Sequence, residues 1–123
     1  MKRVILAGIL LFIVGYFFNA NRSFGYQNLN IEDLKDMVDD PAVYLVNVHI
    51  PYAGDIPGTD KSVPYNQIDS LDLPKNAKIV VYCRSGSMSE EAATRLVELG
   101  YTHIYNLQGG MTAWKAAGNE LTV

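Results

Sequence analysis

The stretch IVVYCRSGSMSEEAATRLVELG, residues 79–100, decides the fold. With Lys78 in front, Lys78 to Tyr82 is a short apolar run without polar alternation, the pattern of a strand covered on both faces. It stops at Cys83, the chain's one cysteine, and Ser85, Gly86 and Ser87 then make a turn. From Met88 to Leu99 the spacing predicts a helix, with Ala92, Ala93, Leu96, Val97 and Leu99 on its buried side. Glu90 and Glu91 suit the positive end of that helix, and Gly100 is placed for its C-terminal cap.

Reading outward, the same alternation recurs. Asn30-Ile31-Glu32-Asp33 reads as a capping box with Asp33 in the place of the usual Glu or Gln, and Leu34, Met37 and Val38 form the inner face of a short helix ended by Pro41. Ala42 to Val48 is β-branched and aromatic-rich and predicts a buried strand. The proline-rich and glycine-rich segment from Ile50 to Pro74 predicts loop, with a short strand at Ser62 to Val63 and a helical turn at Ile68 to Leu71. Downstream, His103 to Leu107 predicts a strand, Gly109-Gly110 a turn and Thr112 to Ala117 a last helix closed by Gly118. Strands separated by helices give an α/β class: a small domain with a mostly parallel central sheet and helices on both faces. Reactive groups in such sheets sit at the carboxyl ends of strands, where Cys83 stands.

A thiol at a strand end, followed by a small-residue turn into a helix, lies beside backbone N–H groups that have no intrahelical acceptor. Those amides favour a negative charge in the concavity, so they stabilise a thiolate and hold an anionic substrate group over it. Gly86 lets the backbone turn with its N–H groups inward, and Ser85, Ser87 and Ser89 cap or donate. The competing reading of Cys83 is a buried small hydrophobe. The polar Arg84-Ser85-Gly86-Ser87 segment that follows argues against it.

The chain has 123 residues, and its beginning reads differently from the rest. Lys2 and Arg3 precede fifteen uncharged, mostly apolar residues, Val4 to Phe18. The pattern is that of a signal peptide, with Ser23-Phe24-Gly25 as a small-x-small cleavage site, or of a retained membrane anchor. Residues 1–26 are therefore expected to be a signal or anchor, and 27–123 one exported, periplasmic or otherwise extracytoplasmic domain. Any membrane contact is expected through the N-terminal segment alone.

Three of the ten basic residues, Lys2, Arg3 and Arg22, precede Gln27, which leaves seven against thirteen acids in the domain. An acidic domain without a basic stripe excludes nucleic acid as a partner. One cysteine excludes an internal disulfide, and His49 and His103 share no ligand spacing with it, so no metal and no cofactor are expected.

Three segments together resemble the single-domain rhodanese family. Cys83, Arg84, Ser85 and Gly86 match the start of that family's active-site loop. LQGGMTAWKAAG, residues 107–118, is similar to its closing glycine-glycine and tryptophan segment, and YAGDIPGT, residues 52–59, to its alanine-glycine-histidine-isoleucine-proline-glycine-alanine stretch. The resemblance covers Leu29 to Gly118. It implies a rhodanese-like fold and a sulfurtransferase in which Cys83 carries sulfane sulfur as a persulfide, from a small sulfur anion or a polysulfide to a thiol or cyanide. It also implies substrate binding by Arg84, Ser85, Gly86, Ser87, Met88 and Ser89.

Four positions depart from the family pattern. Asn47 and His49 replace the aspartate and arginine that end the first strand, Asp55 replaces histidine, and Met88 fills the sixth loop position, often arginine or a hydroxyl residue. Methionine cannot make an arginine's bidentate contact, so thiosulfate is expected to be a poor substrate. His49 and Asp55 are candidates for lining the pocket, and Tyr52 or Tyr82 for packing by the sulfur. The departures motivate a second reading, a non-catalytic module that binds a protein partner or senses oxidation. A third, phosphatase or arsenate chemistry, needs an arginine closing the loop, and Arg95 lies too far along the helix.

Overall fold

The computed structural model describes residues 25–123. Five strands form one sheet: β1 (Tyr26–Leu29), β2 (Val43–Asn47), β3 (Lys61–Ser62), β4 (Lys78–Tyr82) and β5 (His103–Leu107). Their order is β1-β5-β4-β2-β3 and every pairing is parallel. The helices are α1 (Ile31–Val38), α2 (Ser87–Glu98) and α3 (Gly110–Ala116), with a 3-10 segment at Tyr65–Ser70.

Alternation along the strands sorts the core into two layers. In β4, Ile79 and Val81 pack with Ala92, Ala93 and Leu96 of α2 and with Ile68 of the 3-10 segment. Val80 and Tyr82 point the other way, toward Leu34 of α1 and Met111 and Trp114 of α3. Successive side chains of a strand face opposite sides, so a run without polar residues requires both faces to be covered. Truncating a residue such as fully buried Leu96 to alanine costs about 2–5 kcal/mol.

The expected capping box is present. Asn30 Oδ1 accepts from the Asp33 amide at 2.8 Å, and Asp33 Oδ2 accepts from the Asn30 amide at 3.2 Å. Strand β1 is an element the sequence reading does not assign. It pairs with β5 from Tyr26 alongside Ile104 to Leu29 alongside Leu107.

The signal and anchor reading falls on residues 1–24, outside the described range, apart from Gly25 and Tyr26 at its end. Among the described residues, no helix is long and apolar enough to cross a membrane. That finding corrects the membrane assignment for residues 25–123; the signal and periplasm assignments rest on residues 1–24 and lie outside the described range.

Because all strands run the same way, their carboxyl ends meet at one edge. Asn47, Tyr82 and Leu107 end the three middle strands, and Cys83 follows the central one.

Candidate active site

Cys83 continues the face of Ile79 and Val81 and is 1% exposed. Its Sγ accepts a hydrogen bond from the Gly86 amide at 3.0 Å and lies 3.5 Å from Ser89 Oγ, to which the thiol donates. Ser89 is fully buried, and its hydroxyl in turn donates to the Gly86 carbonyl at 3.0 Å. The loop therefore closes on the sulfur through Gly86 and Ser89. Gly86 holds φ +123°, a conformation L side chains rarely adopt, and this orientation aims its N–H at the sulfur.

Gly86 is also the N-cap of α2 and supplies no side chain to cap it. The amides of Ser87, Met88 and Ser89 in the first turn thus have no intrahelical acceptor. Among the described residues no side chain caps them either. With the Gly86 amide on the sulfur, a helix N-terminus of this kind beside it favours an anion.

The other side of the loop is held by α3. Its own N-terminus has no side-chain cap. Instead the Met111 amide donates to the Cys83 carbonyl and the Thr112 amide to the Arg84 carbonyl, each at 2.9 Å. A Cβ on Gly110 would collide with the Cys83 carbonyl oxygen, so glycine is required for this close approach.

The remaining loop residues divide. Ser85 and Ser87 are exposed, and Met88 is half-buried against the α2-side core. Arg84 is exposed and lines an open cavity with Lys115 of α3. Arg95, the next arginine, is engaged elsewhere: Nε and Nη2 donate to the two carboxylate oxygens of Asp69 at 2.8 and 2.7 Å.

His49 does approach the loop. The chain beyond β2 stays in register, with the Val48 amide donating to the Tyr82 carbonyl at 2.9 Å, so His49 runs on beside Arg84. Burial first, and the Arg84 charge second, hold its imidazole below the usual histidine range, so it is neutral at pH 7. Its Nδ1 is buried and has no partner among the described residues.

Asp55 sits in a polar network of its own. Asn47 Nδ2 donates to Asp55 Oδ1 at 2.9 Å, Tyr52 Oη to Oδ2 at 2.6 Å and Tyr82 Oη to Oδ1 at 3.4 Å. Burial pushes the carboxyl up, but bonds from Asn47, Tyr52, Tyr82 and Ser62 outweigh it and hold it below the usual carboxylate range. Among the described residues no hydrogen bond joins Asp55 to the Cys83 loop; its backbone pairs with Thr122 in both directions at 2.7 Å.

Two further expectations change. Tyr82 does not pack by the sulfur, because it follows Val81 and so faces the α1 and α3 layer. Its hydroxyl accepts from the Ile56 amide at 3.0 Å and meets Thr59 Oγ1 at 2.7 Å. Tyr52 is 52% exposed and tied to Asp55. The sequence reading also misses Asn106, fully buried in β5, whose Oδ1 has no partner among the described residues.

Comparison with known proteins places this geometry. A family profile described as a rhodanese-like domain matches residues 26–117. The thiosulfate sulfurtransferase GlpE of Pseudoalteromonas translucida is 29% identical over 99 residues, covering 77% of this chain and 94% of that protein. A sulfurtransferase of Allochromatium vinosum is 43% identical over 47 residues, 38% of this chain and 44% of that protein, so the match spans under half of its length. A rhodanese-related protein from Thermoplasma volcanium superposes with a TM-score of 0.67 at 25% identity, over 78% of this chain and 97% of that one. A rhodanese homologue from Thermus thermophilus gives 0.62 at 26%, over 71% and 99%.

Proposed function

This chain belongs to the rhodanese-like family, and from that premise we propose that it moves sulfane sulfur through a persulfide on Cys83. Family membership supports a sulfurtransferase-like role in general. The finer reading rests on one observation, the Gly86 amide donating to Cys83 Sγ at 3.0 Å at the end of the central strand.

In the first half-reaction the Cys83 thiolate attacks the outer sulfur of thiosulfate or a polysulfide. The donor's S–S bond breaks, and sulfite or the shortened polysulfide leaves with the electron pair. The amides from Arg84 to Ser89 hold the charge of the persulfide that forms. In the second, an acceptor thiolate or cyanide takes the outer sulfur and returns Cys83 as thiolate. No net oxidation occurs, and the exchange is complete without an added group.

With Met88 packed on the core, the sixth loop position offers no cation to a bound oxyanion. A polysulfide, which carries its charge on sulfur and has no oxyanion to bind, is accordingly the better donor. The near-complete burial of Cys83 favours a second reading, a non-catalytic binding or redox-sensing module.

Intact-mass spectrometry decides between them. The protein is weighed before and after thiosulfate or polysulfide, beside Cys83→Ala. Gain of one sulfur by the wild type alone, discharged by cyanide or thiol, supports sulfur carriage. A folded, reduced protein that gains none from either donor leaves only the binding module.

A further inference from the structure

Beside the Cys83 loop lies an open cavity of about 210 Å³, lined by Ala53, Arg84, Met111, Thr112, Lys115 and Leu121. Two of these six are cations and none is an acid. That is unexpected in a domain with seven basic residues against thirteen acids. Three of the other five basic side chains are occupied: Arg95 pairs with Asp69 and Glu98, while Lys35 and Lys75 lie over the rings of Trp114 and Tyr101. Among the described residues, neither Arg84 nor Lys115 has a carboxylate within ion-pairing distance.

The remaining lining is apolar: Met111, Leu121 and Ala53. The volume is room for about seven waters, more than a single sulfur oxyanion fills. Apolar walls with two cations in the lining fit a small organic anion. The cavity adjoins the Cys83 loop on its α3 side, where Met111 and Thr112 are hydrogen-bonded to the Cys83 and Arg84 carbonyls.

We propose that the Arg84–Lys115 cavity holds the carboxylate of a small organic thiol, and that such carboxylate-bearing thiols are the preferred sulfur acceptors. The proposal rests on the sulfur-carrying reading above. The acceptor's thiolate attacks the outer sulfur of the Cys83 persulfide. The Cys83 S–S bond breaks, a new S–S bond forms on the acceptor, and the electron pair remains on the Cys83 sulfur. Arg84 and Lys115 neutralise the acceptor's carboxylate and bring its thiol to the loop without taking part in the exchange.

The test loads Cys83 with sulfur and follows its discharge by 3-mercaptopropionate and by 2-mercaptoethanol, with rates expressed per thiolate. The carboxylate thiol is expected to be faster by about tenfold, equivalent to about 1.4 kcal/mol. Lys115→Gln or Arg84→Gln, or salt raised to about 0.5 M, brings that ratio toward one. Equal rates in the wild type, or a ratio that neither substitution changes, overturns the proposal.

A second arm does not need the persulfide. 3-(Methylthio)propionate, which cannot accept sulfur, is titrated into the unloaded protein while the amide resonances of Thr112 and Lys115 are followed. Saturable shifts that Lys115→Gln weakens support the cavity as a carboxylate site even if Cys83 never takes up sulfur. Absence of any shift up to about 20 mM, a binding free energy weaker than about 2.3 kcal/mol, overturns it.

Discussion

Asn47, at the end of β2, donates from one side-chain amide to both the Asp55 carboxylate and the Gly54 carbonyl, at 2.9 Å each. Two family departures are thus one contact, in which an amide donor on the strand meets a carboxylate acceptor on the loop. Asn47→Asp removes the donor and sets two carboxylates together. It is expected to destabilise the fold by about 1–3 kcal/mol at pH 7, read by urea unfolding. Adding Asp55→His supplies a donor to the new aspartate and is expected to recover much of the loss. A double variant as unstable as the sum of its parts would show that the pair is not coupled.

Gly86 carries the amide that reaches the sulfur. Gly86→Ala places a Cβ at φ +123° and forces that amide to turn away. Sulfur loading of Cys83 is expected to slow by about tenfold or more, the effect of removing one preorganised donor. Ser89→Ala, which removes the hydroxyl between Sγ and the Gly86 carbonyl, is expected to slow it less, because the Gly86 amide stays in place. Stopped mass-spectrometric time points measure both.

Gly110→Ala tests the clasp from α3. The added Cβ meets the Cys83 carbonyl oxygen, and neither backbone can yield without breaking the Met111 and Thr112 bonds. Loss of more than about 3 kcal/mol is expected, together with loss of loading in whatever protein stays folded. Gly118→Ala is the control: its φ is also positive, at +90°, but no atom lies within 4 Å of the added methyl. If both substitutions cost the same, steric contact with the loop is not the cause.

Burial, more than any partner, pushes the Tyr82 phenol up to about 12, while bonds to Thr59 and Ile56 pull the other way. The folded form therefore favours the neutral phenol, so this stabilisation is complete below pH 10 and is lost as pH rises from about 10 to about 12. Alkaline unfolding of the wild type should show that loss, on the order of 2–3 kcal/mol. Tyr82→Phe is expected to lack this dependence. It should also be less stable at pH 7 by about 1–3 kcal/mol, because the buried Ile56 amide loses its acceptor.

Acid acts through Asp55 in the opposite sense. Its carboxyl lies below the usual range, so the stability it contributes is present above the ordinary carboxylate pKa and is lost as pH falls through the lowered folded value. Asp55→Asn is expected to flatten the acid limb of the stability profile. An unchanged acid limb would mean the network contributes nothing there.

The local code is legible where side-chain periodicity and cover coincide. β4 and β5 have the bounds their apolar runs predict, and α2 starts one residue earlier than its pattern does. β1 escapes because its Gln27 and Asn28 are exposed, leaving no alternation to read, and because its partner β5 lies far along the chain. Cys83, Gly86 and Ser89 are legible as a loop, but Asn47 and Asp55 read as two separate losses. Their bond depends on the path of residues 48–54, which no spacing rule gives. Tyr82, one of the two tyrosines expected by the sulfur, faces the other layer because adjacency in sequence to Cys83 means opposite faces in a strand.

The clasp that Gly109 to Thr112 closes on the Cys83 loop also orders events during synthesis. A chain made from its N-terminus exposes Cys83 before the residues that fasten it exist. β1 must likewise wait for β5, its neighbour in the sheet. A truncated chain ending before Gly110 would carry the thiol on an unfastened loop, so the reactive geometry appears only once nearly the whole domain has been translated.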